Sequence, residues 1–211
     1  MAGMRSAIAL CRSLALTGLV VGALFAPLGV SALPGRSSAA PVAEPVPADP
    51  LARRLLDRHN GERLRIGVAP LVWNRRLAED AARWAQRLAA SGTFDHAARG
   101  SATAAEPYRD AGENLWAGTR GAYAPEEMVD SWIAERAYFR AGRFPQVVTA
   151  GDWSAVGHYT QLIWPATREV GCAIVAATRE DILVCRYHPA GNVMGDPVGY
   201  RGGFAPAARK L

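Results

Sequence analysis

Four ionisable side chains lie in short motifs that are distant from one another in the sequence. They are His96 in Phe-Asp-His, Glu113 in Gly-Glu-Asn-Leu, Glu135 in Trp-Ile-Ala-Glu and His158 in Gly-His-Tyr-Thr-Gln. Two neutral imidazoles suit zinc or a similar divalent ion, and carboxylates complete or orient such a coordination shell. A metal with an open position could also activate water, with Glu113 or Glu135 as general base.

Spacing alone does not show that these groups converge. The two histidines are far from the i, i+4 pair of a helical zinc site, and taken singly each fits a hydrogen-bonded structural role better than a ligand role. Glu135 is more informative, because it shares a face of a predicted helix with Met128 and Trp132. A carboxylate there needs a partner or a path to solvent at the helix edge.

The elements that must position these residues are indicated by the spacing of apolar residues. Asp49-Pro50 predicts the start of a first helix, Asn74 caps a second, and Pro125 begins a third. A short strand is predicted around 114–116, and two β-like runs at 170–177 and 182–188 predict a hairpin. Helices first and an antiparallel hairpin last indicate an α+β fold rather than a doubly wound parallel sheet.

The beginning of the chain predicts export. Residues 1–32 combine early arginines, an apolar run and small residues before a cleavage point, which is typical of a signal peptide; an uncleaved anchor is the alternative. Residues 33–49 are a Pro/Ala-rich linker. We expect a secreted or periplasmic protein with no stable membrane span after cleavage. Cys172 and Cys185, on the two arms of the hairpin, then predict a disulfide, with two buried free thiols as the alternative.

Composition narrows the function classes. The chain has 211 residues, enough for one domain, and a net charge of +5 without any basic block, which argues against nucleic-acid binding. The sequence has no phosphate-binding loop and no internal repeat, which excludes P-loop nucleotide hydrolases and solenoids. No organic cofactor is indicated, and we expect a monomer.

The motifs resemble those of the CAP superfamily, which comprises cysteine-rich secretory proteins, antigen-five allergens and pathogenesis-related class-one proteins. Residues 157–164 are similar to its first signature and 187–192 to its second, with His59-Asn60 and the Gly-Glu-Asn-Leu motif in the expected order. The resemblance implies a three-layer α-β-α sandwich with a small antiparallel sheet between the helices. It places the domain at 50–195 and a C-terminal tail at 196–211.

The resemblance also implies a large open cleft lined by His96, His158, Glu113 and Glu135. It gives His59 a structural role and matches Cys172 and Cys185 to the family's hairpin bridge. The tail lacks the cysteine-rich module of channel-regulating members, so that activity is not expected. His188 departs from the second signature, and the sequence does not explain it.

Two function classes follow for this cleft. The favoured one is a non-enzymatic binding scaffold that holds a divalent, zinc-like metal weakly and binds a lipid, sterol, peptide or envelope ligand. Trp116 and Trp153 are candidates for its ligand groove. The alternative is a metal-dependent, peptidase-like hydrolase using Glu113, Glu135 and His158. It is disfavoured because there is no HExxH helix, and because hydroxyls near His158 lack an identified orienting acid. A third interpretation is structural: the histidines and glutamates only form hydrogen bonds that hold the two walls of the cleft together.

Overall fold

The computed structural model describes residues 47–98 and 108–199 of the chain. The predicted signal peptide, nearly all of the linker and most of the predicted tail lie outside these residues. The elements, in chain order, are α1 (Pro50–Arg65), β1 (Val72–Trp73), α2 (Arg75–Ser91), β2 (Gly112–Thr119), α3 (Pro125–Ala134), β3 (Gly142–Arg143), α4 (Gly157–Leu162), β4 (Glu169–Ala176), β5 (Glu180–His188) and β6 (Pro197–Val198). Short 3-10 turns at Glu135–Tyr138 and Trp153–Val156 precede β3 and α4 respectively.

The helix starts lie where the sequence signals predicted them. The Asp49 carboxylate accepts the N–H of Leu51 at 3.0 Å, and α1 follows at once. The Asn74 side chain accepts two N–H groups in the first turn of α2, and that helix ends at Gly92 in the left-handed region (φ 68°). Local capping chemistry therefore accounts for these boundaries.

The central sheet has four strands in the order β1-β4-β5-β2. The β4–β5 hairpin is antiparallel with Cys172 opposite Cys185, and the two cysteines form a disulfide. β2 adds to β5 in antiparallel fashion, but β1 runs parallel to β4. The sheet is therefore mixed rather than purely antiparallel as expected, because the long connection from β1 to β4 allows a parallel crossover.

Helices cover both faces of this sheet. The apolar face of α2 packs on one side with the alternate residues Leu115, Ile182 and Val184 of β2 and β5. α1, α3 and α4 pack on the other side around a larger cluster that includes Trp132 and Tyr159. The predicted α+β class and three-layer α-β-α arrangement are confirmed. None of the described helices is long and apolar enough to span a membrane.

The described fold continues beyond the predicted boundary at 195. β6 pairs antiparallel with β3, with Gly142 opposite Val198 and Arg143 opposite Pro197. Val198 is 3% exposed and belongs to the larger core cluster. A two-residue strand in a Gly/Pro-rich stretch gives no periodic signal, so the sequence alone does not indicate this pairing.

Two consecutive residues of α1, Glu62 and Arg63, bind α4 and the segment that follows it. Glu62 is buried and accepts the hydroxyl of Tyr159 at 2.9 Å. Burial alone would raise the pKa of Glu62, but hydrogen bonds from Arg65 and Tyr159 hold it below its ordinary value. The buried Arg63 guanidinium, whose pKa burial lowers to about 10, donates to four carbonyl oxygens. These belong to Ala69, Leu162, Trp164 and Thr167. The helix that carries His158 is thereby fixed to α1.

Candidate functional site

His158, the second residue of α4, is held from two directions. Its Nδ1 donates to Oε1 of Glu135 at 2.6 Å, since a carboxylate can only accept. Glu135 Oε2 also accepts the backbone N–H groups of His158 and Tyr159, both at 3.0 Å. The Trp132 ring stacks on the imidazole, with centroids 6.0 Å apart and 16° between the planes. The ring is thus fixed with its Nε2 lone pair unused by these contacts.

His96 lies in the segment that follows α2 and is more exposed, with 63% of its side chain accessible. Its Nδ1 donates to Glu113 Oε1 at 2.6 Å, and the backbone N–H of Ala97 donates to the same oxygen at 3.1 Å. The Trp84 indole of α2 donates to the carbonyl of Asp95 at 3.2 Å, which tethers this segment to the helix. His96 therefore has the same donor arrangement as His158 on a less rigid support.

The two histidines approach from opposite faces of the sheet, and consecutive residues of β2 contact both. Glu113 lies on the α2 face and holds His96. Asn114 lies on the other face, and its side-chain amide donates to the His158 carbonyl at 3.0 Å and to the Tyr187 hydroxyl at 3.2 Å. Because side chains alternate along a strand, one dipeptide can serve both sides. This explains the adjacent Glu and Asn in the Gly-Glu-Asn-Leu motif.

A cavity of about 770 Å³ joins the two sides. Its polar wall includes His96, Glu113 and His158. Its lining also includes the exposed side chains of Trp153, Val193 and Met194 and the buried ring of Phe144. A ligand in this cavity would therefore meet both imidazoles and apolar side chains.

Two predicted site residues are placed differently from expectation. Glu135 is not among the described residues that line the cavity; it lies behind His158 and orients it. Trp116 does not line this cavity either. It packs against Tyr123 with ring centroids 5.1 Å apart. The alternation of β2 puts Trp116 on the face opposite Glu113 and farther along the strand, whereas Trp153 does line the cavity.

The hydroxyls near His158 do not form a nucleophile pair with it. Thr160 is buried and donates to the Asn192 side chain at 2.7 Å. Ser154 lines the cavity, but among the described contacts it makes no hydrogen bond to His158. The geometry contains an oriented base without an engaged nucleophile.

His59 is a buried structural residue. Its Nδ1 donates to the Leu55 carbonyl at 2.7 Å, and the Tyr187 hydroxyl donates to its Nε2 at 2.8 Å. Burial lowers the pKa of His59 to about 4 and raises that of Tyr187. Asn114 continues this chain of hydrogen bonds to His158. His188, unexplained by the sequence, packs its ring edge-on against Tyr108 at 5.0 Å and also has a packing role.

No three of the four predicted cleft residues are clustered tightly enough to form a ready-made metal site in the described part of the chain. Within residues 47–98 and 108–199, the one group of potential ligands with all ligand atoms within 4.8 Å comprises His59, Cys172 and Cys185. That group is unsuited to a metal, because the cysteines are bonded to each other and both nitrogens of His59 are hydrogen-bonded. The cleft histidines fit a metal by donor chemistry, since carboxylates fix their Nδ1 atoms as in known metal-binding histidines.

Two buried charged residues of the site were missed from the sequence. Arg186 of β5 lies opposite Glu113 in the sheet and 3.1 Å from it, and Asp80 of α2 lies 3.1 Å from Arg186. Asp80 carried a usable signal, because it lies on the apolar face of α2 beside Leu77 and Trp84. The reasoning applied to Glu135 applies equally there.

Comparison with known proteins agrees with this architecture. The model of the cysteine-rich secretory protein family, CAP, matches residues 56–187. Pathogenesis-related protein 1C of Nicotiana tabacum is 33% identical over 141 residues, covering 66% of this chain and 76% of that protein. Secreted protein RBT4 of Candida albicans is 33% identical over 150 residues, covering 69% of this chain but 37% of the fungal protein.

Among solved structures, the crystal structure of NaASP2 with Zn²⁺ has a TM-score of 0.58 at 23% identity. The match covers 73% of this chain and 87% of that one, and it shows a shared fold. The family match and the arrangement of the cleft lead to one assignment. The chain belongs to the CAP family of cysteine-rich secretory proteins.

Proposed function

We propose that this protein is an exported binding scaffold whose cleft holds a divalent transition metal weakly through Nε2 of His96 and His158. One observation carries the proposal: each ring donates Nδ1 to a carboxylate at 2.6 Å, and each lines the same cavity. Such a pairing selects the tautomer in which Nε2 can bind metal. Glu113 and Glu135 support the site as hydrogen-bond acceptors.

Weak, partly open binding is expected from the number and the placement of the donors. Two nitrogens fall short of the four ligands of a closed structural zinc site. Among the described residues, no three of the four cleft side chains bring their ligand atoms within 4.8 Å of one another, which fits an open site rather than a closed one. The zinc in the NaASP2 crystal structure adds support from a related fold.

The cavity also suits a larger ligand beside the metal. Its volume of about 770 Å³ is within the range of small-molecule sites. The exposed Trp153, Val193 and Met194 offer apolar contact for part of a lipid, sterol or peptide. We infer a ligand that combines an apolar portion with a polar group that can reach the histidines.

The hydrolase alternative is less well supported. An oriented imidazole with a carboxylate behind it could serve as a general base, but Thr160 is engaged elsewhere and Ser154 is not hydrogen-bonded to His158 in the described contacts. We expect no cleavage of a diverse peptide library, with or without added zinc. Specific cleavage that is lost in His158→Ala and Glu113→Gln would establish the alternative.

Export is supported by the disulfide and by the secreted fungal relative. A mature, secreted form would begin after the apolar segment. N-terminal sequencing of protein recovered outside the cell would give the cleavage position and distinguish a removed signal peptide from a retained anchor.

Isothermal titration calorimetry with zinc tests the proposed metal site. At pH 7.5 the wild type should bind, and His96→Ala/His158→Ala should bind at least about tenfold more weakly because both nitrogen ligands are gone. His188→Ala is the matched control, since that ring packs on Tyr108 instead. Equal affinity in the double variant would show that the pairs are structural.

A further inference from the structure

A row of charged side chains lies behind His96, and two of its buried members, Asp80 and Arg186, have no part in the proposed function. Glu113 and Arg186 are directly paired across β2 and β5, and Arg186 Nη1 is 3.1 Å from Glu113 Oε2. On the other side, Arg186 Nε is 3.1 Å from Asp80 Oδ2. Arg83, one turn farther along α2, contacts the second Asp80 oxygen at 3.2 Å. The row therefore runs from α2 along the face of the sheet that α2 covers, to the cleft.

This row is costly to the fold. The side chains of Asp80, Arg186 and Glu113 are 3%, 7% and 7% exposed. The contacts of Arg186 are close but poorly aligned. Four buried atoms thus have no hydrogen-bond partner among the described residues: Asp80 Oδ2, Glu113 Oε2, Arg186 Nε and Arg186 Nη2. Buried ions with incomplete hydrogen bonding are expensive, and apolar side chains in their place are often equally or more stabilising. Stability alone does not explain why the charges are there.

The carboxylates behind the two histidines are fixed by different contacts, and this difference indicates a role for the buried charges. Glu135, behind His158, is fixed by two backbone N–H groups of α4. Glu113, behind His96, receives one backbone N–H from the described residues, that of Ala97. Its remaining oxygen faces Arg186, which therefore provides the second point that fixes the carboxylate.

We propose that Arg186 and Asp80 are positioning residues for the His96 arm of the cleft. Arg186 holds Oε2 of Glu113, so that Oε1 stays on Nδ1 of His96 and the Nε2 lone pair remains available to a ligand. Asp80 holds Arg186 in turn, which links the geometry of the cleft to α2. The identity of that ligand rests on the proposed function, whereas the orientation of the His96 ring does not depend on it.

The first test needs no metal. The tautomer of His96 is read from its imidazole nitrogen signals by NMR in wild type, Asp80→Asn and Arg186→Lys. Glu79→Gln is the matched control, because Glu79 is adjacent on α2 and forms an exposed pair with Arg75 at 2.9 Å. We expect the Nδ1–H form in wild type and control, and a growing Nε2–H fraction in the two test variants. Backbone amide spectra confirm that all four proteins fold. An unchanged His96 tautomer in both test variants would overturn the proposal.

The second test measures zinc affinity. Asp80→Asn and Arg186→Lys should each weaken binding by about three- to tenfold, less than the 10- to 100-fold typical of a direct partner of a ligand. In a His96→Ala background the same substitutions should have no further effect, whereas a general structural loss would persist there and contradict the proposal. Absence of zinc binding in wild type would refute the proposed function alone, and the tautomer result would then decide the inference.

Discussion

Glu135→Gln is a small change at the residue that holds His158, and its consequences follow from donor and acceptor chemistry. The glutamine oxygen can still accept the N–H groups of His158 and Tyr159, now at 3.0 Å from Oε2. Its amide nitrogen then replaces Oε1, 2.6 Å from Nδ1 of His158. Since that amide only donates, the ring must accept there and carry its proton on Nε2. The substitution should therefore remove the lone pair that we assign to metal binding.

The cost to folding should be modest. One charge-assisted hydrogen bond, worth about 1.5–3 kcal/mol, becomes a neutral one worth about 1 kcal/mol. Glu135 is partly exposed, so solvent recovers some of the loss, and we expect the free energy of unfolding to fall by about 1 kcal/mol. Glu135→Ala also leaves two N–H groups at the start of α4 without their acceptor and should cost about 2–4 kcal/mol.

Glu127→Gln is the matched control. Glu127 also accepts a backbone N–H at a helix start, from Ala124 at 2.6 Å, but it belongs to α3 and does not contact a cleft histidine. Urea unfolding measures the stability of each variant, and calorimetry with zinc measures the site. We expect zinc affinity to fall at least about tenfold in Glu135→Gln and to stay unchanged in Glu127→Gln. Zinc binding of wild-type strength in a folded Glu135→Gln protein would refute the tautomer argument.

Three further predictions concern the scaffold. Because burial lowers the pKa of His59 to about 4, the unfolded chain gains a proton before the folded one; stability should be full above pH 6.5 and fall by up to about 3 kcal/mol towards pH 4. Urea midpoints that stay constant across this range would contradict it. Gly171→Ala should lower the melting temperature by several degrees, because a Cβ there would lie closer than 3.0 Å to backbone atoms at the start of α2. Gly61→Ala in α1 should instead raise the free energy of unfolding by about 0.5–1 kcal/mol, because its Cβ has room and alanine favours the helix. Non-reducing peptide maps should recover Cys172 linked to Cys185, and replacing both with alanine should cost about 3 kcal/mol; alkylation of both thiols in exported protein would exclude the bridge.

The parts of the fold that could be predicted from the sequence depend on local chemistry. Asp49, Asn74 and Pro125 mark helix starts because capping and the fixed φ of proline act within one turn. The hairpin register was also accessible, since a disulfide between facing strands requires Cys172 and Cys185 to be directly opposite. The parallel β1 and the β3–β6 pair were not predicted, because two-residue strands have no periodicity and their pairing depends on contacts distant in sequence.

The site residues also divide into those that local sequence indicated and those that depend on contacts distant in sequence. The carboxylate on the apolar face of α3 indicated that Glu135 needs a partner, and the structure provides His158. Trp116 was misplaced because nearness in sequence to Glu113 was taken as nearness in space, although three residues of an extended strand span about 10 Å. Arg186 offered little signal, since a strand buried on both faces has no exposed side to which a charge would be assigned.

The two histidines of the cleft are held differently, because Glu113 and Asn114 of β2 lie on opposite faces of the sheet. His158 is fixed by a helix, a stacked indole and a carboxylate that accepts two backbone N–H groups. His96 depends on a segment beyond the end of α2 and on Glu113, which is held in part by a guanidinium rather than by the backbone. The geometry of the His96 arm should therefore depend on a series of contacts that extends from Asp80 through Arg186 to Glu113, whereas Glu135 and the backbone of α4 fix His158 directly.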